Sequence, residues 1–339
     1  MHMADALLSP AVGGVFWAAT AATTAYAAKK LRQEENEKLI PLMGVLGAFV
    51  FAAQMINFTI PGTGSSGHIG GGMLLAILLG PNAAFIVIAS VLTVQALFFA
   101  DGGLLALGAN IWNLGFYPSY IAYPFIYKAI VKDNPTPKKI TLASVLSVVA
   151  ALQLGAFSVV LQTKLSGISE LPFKNFLMLM QPIHLAIGIA EGFITAGVVN
   201  YIRSIQPEII EKKTTVSYKK AVIALSIMAV ITGGLLSWFA STHPDGLEWS
   251  IMNVYGEPEL EQKDNPIVNK LQSIQEKTAI LPDYSLPEPE ATTEEAAEGW
   301  PNADPGTSLS GILGGLIVLL VVAAFGMGLR RFSRSGNSQ

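Results

Sequence analysis

The chain has 339 residues, 51% of them hydrophobic and only 13% charged, about half the charged share of an ordinary soluble domain. That composition belongs in a membrane, and a net charge of −3, from 21 Lys and Arg against 24 Asp and Glu, offers no global basic field for nucleic acid. The absence of cysteine excludes disulfides, thiolate metal sites, iron–sulfur clusters and cysteine nucleophiles together, so a metal ion would be held by nitrogen or oxygen, with thioether sulfur a minor option.

The first residues, Met1, His2, Met3, Ala4 and Asp5, carry no basic cluster, and the first lysine is Lys29. A cleavable signal peptide has the opposite order. A bulky second residue also discourages removal of the initiator methionine, so the expectation is a mature chain starting at Met1 with a free amine. Apolar runs long enough to cross a bilayer, about 20 residues of helix, follow from Ser9 to Ala28, Leu39 to Phe58, Leu104 to Tyr127, Ile140 to Thr163, Phe176 to Ile202, Ala221 to Ala240 and Leu309 to Leu329. Between Ile69 and Ala100 the run is broken at Gly80, Pro81 and Asn82. A short crossing of tilted, shielded or re-entrant character is expected before the break, and a second crossing after it.

Short cytoplasmic loops collect Lys and Arg. Lys29, Lys30, Arg32 and Lys38 therefore put the first connection inside, with the N-terminus and the His68 loop outside and the C-terminus inside. All the basic residues except Lys164, Lys174, Lys263, Lys270 and Lys277 then fall on the inner side. The reading is an all-α integral membrane protein with a seven-span body (residues 1–215) and a two-span appendage (residues 216–339). The two meet at the basic linker from Arg203 to Lys220. From Pro244 to Pro305 the appendage is acidic and proline-rich, as an extracytoplasmic segment with flexible parts would be.

Of the four histidines, His2, His68 and His243 are expected near one outer face, and His184 inside an apolar run. A free amine, the amide nitrogen of residue 2 and the Nδ1 of His2 would form two fused chelate rings around one ion. His68, in a loop rich in glycine and serine from Pro61 to Gly72, would supply a fourth nitrogen. Four planar nitrogens suit Ni(II) or Cu(II) better than Zn(II). The plainer alternative is an incidental His2 and a polar loop residue at 68.

His184 and Glu191, seven apart, share a helix face. They are either a polar strut beside the site or an interhelical hydrogen bond; Asp101, Asn110 and Asn113 leave the same choice open. Ala18, Ala21, Ala22 and Ala25 form small-xxx-small pairs, for packing within the body or against a partner. There is no Gly-Lys-Ser/Thr after the glycines at 67 and 70–72 and no His-Glu-x-x-His, so a P-loop and the commonest metalloprotease signature are absent.

The sequence resembles the NikM/CbiM membrane subunits of energy-coupling-factor transporters for nickel and cobalt. The matching features run in order: Met1-His2-Met3 with Asp5 to Pro10, Gly67-His68, Leu78-Leu79-Gly80-Pro81, Gln95 to Gly103, Leu107 to Asn110, and His184 with Glu191-Gly192. Pro244-Asp245-Gly246-Leu247-Glu248 is similar to the hallmark of the small NikN/CbiN component, here joined to the same chain. The resemblance implies a substrate-capturing subunit in a prokaryotic plasma membrane, working with a transmembrane coupling protein and a cytoplasmic ATPase. It implies metal binding by the amine of Met1, His2 and His68, and docking to the coupling protein through Ala18, Ala22 and Ala25.

Nickel is the expected substrate, with no permanent cofactor, and cobalt uptake for cobalamin synthesis is the alternative. A membrane-embedded metal-dependent enzyme fits less well, because a square-planar ion with four protein nitrogens has no open equatorial position. An organic substrate is a third possibility. Proton competition at the amine, amide and both imidazoles would weaken binding below about pH 6.

Overall fold

The computed structural model describes residues 2–336 except 35, 37, 133, 212–216, 287–300 and 302. After a single 3-10 turn at Asp5–Leu7, α1 (Pro10–Glu34) and α2 (Leu39–Gln54) lead to a short antiparallel hairpin, β1 (Phe58–Ile60) with β2 (Ser65–Gly67). Helices α3 (Gly72–Leu79) and α4 (Pro81–Phe99) follow. A continuous helix then runs from α5 (Leu107–Ile111) through wide π-type turns at Trp112–Tyr127, with Pro118 and Pro124 inside them, to α6 (Lys128–Val131). The body closes with α7 (Pro137–Ser166), α8 (Phe173–Ile205) and the one-turn α9 (Pro207–Ile210).

The second region has α10 (Lys219–Gly234), α11 (Gly246–Tyr255), α12 (Pro266–Thr278) and α13 (Pro305–Gly336). Helices α10 and α13 lie along α2, and α13 also touches α4, while α11 rests on α8 and the hairpin. Among the described residues four helices, Pro81–Phe99, Pro137–Ser166, Phe173–Ile205 and the Pro305–Leu329 part of α13, are long and apolar enough to cross a membrane. Leu146, Phe157 and Leu161 on α7 and Ile189 and Phe193 on α8 are exposed. Large outward-facing apolar side chains suit lipid contact, and the molecule is a multi-pass membrane protein.

Local chemistry explains the boundaries. Gly80, at φ 85°, ends α3 in a conformation that favours glycine, and Pro81 occupies the first turn of α4, where its missing N–H costs nothing. Thr136 caps α7 by accepting from the Lys139 amide at 3.4 Å, and Pro137 again opens the helix.

The all-α expectation needs one correction. The chain is not purely α: Phe58–Ile60 and Ser65–Gly67 pair as strands. The short element expected before Pro81 is α3, with eight residues. At 1.5 Å per residue it reaches about 12 Å, less than half of a roughly 30 Å hydrocarbon layer. Residues 68–71 before it are not helical, and the amides of Gly70 and Gly71 donate to Glu191. The polar stretch after Pro244, expected to have flexible parts, includes two capped helices. Asp245 and Glu248 form a reciprocal cap on α11, and Asn265 caps α12. The most acidic part, residues 287–300, lies outside the described residues.

Candidate metal site

The N-terminal arm is pinned from below by α5. Asn110 accepts from the Met3 amide at 2.8 Å and donates back to the Met3 carbonyl at 3.1 Å, and the same carbonyl accepts from the Gly103 amide at 3.0 Å. Asp5 accepts from the Ala106 amide at 3.0 Å, and burial pushes its carboxyl above the usual range. These bonds fix where His2 sits. Its Nδ1 is 2.7 Å from Oδ1 of Asp101, and the Tyr284 hydroxyl donates to Oδ2 of the same carboxylate. The Nε2 of His2 is buried without a hydrogen-bond partner.

The His2 and His68 rings face each other with centroids 5.0 Å apart and planes tilted by 33°. His68 donates through Nδ1 to the Ile69 carbonyl at 3.0 Å, which leaves the lone pair on Nε2, 3.8 Å from Asp245. Burial, reinforced by the neighbouring His2, pulls its pKa down to about 3. The shift favours the neutral ring, with the Nε2 lone pair available. Burial works against the Asp101 carboxylate, but the His2 imidazole and the Tyr284 hydroxyl outweigh it and hold the group at about 2.

The hairpin carrying His68 is gripped from two directions. Glu191, buried on α8, accepts from the amides of Gly70 at 2.8 Å and Gly71 at 2.9 Å, while Gln54 donates to the Gly70 carbonyl at 2.8 Å. From above, the Pro244 carbonyl accepts from the Ser66 amide at 2.8 Å. The Ser66 hydroxyl donates to the His243 carbonyl at 2.7 Å, and the Trp249 indole to the Thr63 carbonyl at 3.0 Å. Gly246 allows this approach: a Cβ there would stand 2.9 Å from Ile187 and 3.2 Å from the ring of His184.

Around the imidazole pair lies a cavity of about 490 Å³. Its wall includes Asp5, Asp101, Asp245, Glu248, Glu259 and Asp283 and, among the described residues, no Lys or Arg, so their field favours a cation. Among the described residues no three His, Cys, Asp or Glu side chains converge as a metal-holding group. The two imidazoles alone are an incomplete coordination shell.

The structure brings together His2, His68 and Asp101. Met1 lies outside the described residues. Asn110 holds the arm, and Glu191 is a strut for the His68 loop rather than a partner of His184, whose Nδ1 donates to the Met180 carbonyl at 2.8 Å. Asn113 pairs with Gln162 at 2.9 and 3.0 Å. His243 is exposed and contributes its carbonyl rather than its ring. Ala18, Ala22 and Ala25 are exposed, so they do not pack within the body, while Gly13, Thr20 and Ala27 bury the opposite face of α1. Sequence reasoning missed Tyr284, and gave no site role to Asp245 or Gln54. Asp245 carried a usable signal, since Asp245-Gly246-Leu247-Glu248 reads as a helix cap. Tyr284, in a Pro-rich segment, carried none.

An apolar helical bundle that places two imidazoles in a carboxylate-walled cavity defines a membrane protein with a site suited to a small cation. The comparisons agree. Residues 2–209 match the family model described as the cobalt uptake substrate-specific transmembrane region, and residues 219–331 match the PDGLE domain. The putative fused nickel transport protein NikMN of Archaeoglobus fulgidus is 34% identical over 337 residues, covering 99% of this chain and all of the relative. The cobalt transport protein CbiM of Sorangium cellulosum is 30% identical over 62% of this chain and 95% of its own length. A solved structure described as a transition metal transporter is 32% identical, with a TM-score of 0.54 over 62% of this chain and 97% of that one. This chain belongs to the CbiM family of metal-transport membrane proteins, and it carries a PDGLE domain on the same polypeptide.

Proposed function

We propose that this chain is the substrate-specificity subunit of an ATP-driven, energy-coupling-factor uptake system for Ni(II). The ion is held by the amine of Met1, the amide nitrogen and Nδ1 of His2, and Nε2 of His68. The observation that carries the reading is the facing pair His2 and His68 at 5.0 Å in a carboxylate-walled cavity. The orientation of His2 sets a condition: Nδ1 is engaged with Asp101, so capture requires the ring to give up that bond and turn toward the backbone.

The capturing body is residues 1–215 and the accessory region 216–339, in a prokaryotic plasma membrane with the cavity outside and the C-terminus in the cytoplasm. The body has seven spans and the appendage two, with α3 entering the membrane without crossing it on its own. The exposed Ala18, Ala22 and Ala25 stripe faces the transmembrane coupling subunit. ATP hydrolysis is the task of a partner ATPase.

The test is a titration of purified full-length protein with Ni(II), Co(II), Cu(II) and Zn(II), beside a variant with one residue added before Met1. One tightly held Ni(II) per chain, lost in the extended variant, is the expected result. Tighter retention of Co(II) would move the assignment to cobalt uptake, and equal binding by both proteins would remove the amine chelate.

A further inference from the structure

Tyr284 of the accessory region bonds to the carboxylate that holds His2. Asp283 and Tyr284 both stand at positive φ, 49° and 60°, a conformation that residues with a Cβ rarely adopt. Such a turn persists only where its surroundings over-determine it, and here they do. The Tyr284 ring stacks on Phe99 with centroids 5.0 Å apart and meets Phe51 edge-on at 6.1 Å. Its carbonyl accepts from Ser310 at 2.9 Å, and the amides of Ile280 and Leu281 both donate to the Phe98 carbonyl, at 3.0 and 3.3 Å. The outcome of this bracing is that the phenol donates to Oδ2 of Asp101 while Oδ1 holds Nδ1 of His2.

We propose that Tyr284 is a positioning residue for metal capture: through Asp101 it latches the His2 imidazole with Nδ1 turned away from the ion, and the incoming ion must release the latch. The inference rests on His2 being a ligand through Nδ1, as in the function proposed above. A carboxylate fixed at one oxygen by a hydroxyl on a stacked ring presents its other oxygen in one place, so His2 is restrained as long as the phenol is there. Without the hydroxyl, Asp101 can turn into the cavity and let the ring go. The latch stabilises the empty state, so it slows association and leaves dissociation untouched. The accessory region thereby sets the rate of capture without contributing a ligand.

Stopped-flow mixing of the full-length protein with Ni(II), followed by the absorption of the nickel complex, separates the two rates. Tyr284→Phe keeps the stacking and removes only the hydroxyl. Association is expected to accelerate by about three- to tenfold, a fraction of the effect of a hydrogen bond to a charged group, with dissociation unchanged. Tyr284→Leu, which also loses the stacking, should accelerate association similarly while lowering thermal stability. Unchanged or slower association in Tyr284→Phe overturns the latch, as does a Tyr284→Leu effect on both rates with Tyr284→Phe silent, which marks a purely structural strut. His2→Ala separates the two proposals. If it abolishes Ni(II) binding and Tyr284→Phe changes nothing, only the latch falls; if it binds Ni(II) normally, the chelate reading falls and the latch with it.

Discussion

The two halves of the metal site are held in different ways. The N-terminal arm from Met3 to Asp5 is fixed entirely within the body, by Asn110, Gly103 and Ala106. The hairpin carrying His68 is held below by Glu191 and above by Pro244, His243 and Trp249 of the accessory region. The backbone of the His2 half is therefore held by the body, with Tyr284 reaching only its ring through Asp101, while the hairpin is assembled between two regions far apart in sequence. The arm's backbone can act as a fixed reference about which the His2 ring turns, and the hairpin can close on an ion.

The largest expected effect is on the hairpin side. Glu191→Ala leaves the buried amides of Gly70 and Gly71 without an acceptor, at about 1–3 kcal/mol each. Metal affinity should fall by roughly 10- to 100-fold, and hydrogen exchange should accelerate at residues 65–71 but not at Met3. Accelerated exchange at Met3 as well would mean that the two halves are one unit.

Asn110→Ala probes the other half. It frees the amide and carbonyl of Met3, with a cost of about 1–3 kcal/mol for the arm. Exchange should quicken at Met3 and Gly103 and leave the hairpin as protected as before. Loosening of the hairpin would break the distinction from the opposite direction.

Acid should act more gently, again on the hairpin. His68 titrates near 3 in the folded protein against a reference of 6.5. Between those values the unfolded chain binds a proton that the folded chain does not, so stability rises with pH across the window and falls as pH drops through it. The loss is on the order of 1 kcal/mol for the first unit below 6.5. Melting temperatures of the ion-free protein in detergent should decline from pH 6.5 to 5.5, and His68→Gln should flatten the decline. An equal slope in His68→Gln would assign the effect to another group.

Much of this arrangement was legible in the residues. The glycine–proline pair at 80 and 81 marked the break between α3 and α4, and His2 and His68 were expected on one face, where the structure brings their rings together. Two 3-residue strands are too short to show alternation, and the glycines and serines between Pro61 and Gly72 read as loop. Glu191 was visible as an ionisable residue on an apolar helix, but its bonds are to backbone amides about 120 residues away, and amides leave no trace in side-chain chemistry. Tyr284 was invisible for a related reason. Its role depends on a left-handed turn and on Asp101, 183 positions distant.

Helices α10 and α13 lie along α2, so the segment that grips the hairpin is tethered at both ends beside its target. Such tethering replaces an encounter in solution with an effective local concentration in the millimolar range. A few bonds of about 1 kcal/mol each then suffice to keep the hairpin engaged most of the time, yet none is strong enough to keep it shut. The two regions also stand in fixed one-to-one proportion whatever the level of synthesis, so every copy of the site arrives with its own brace.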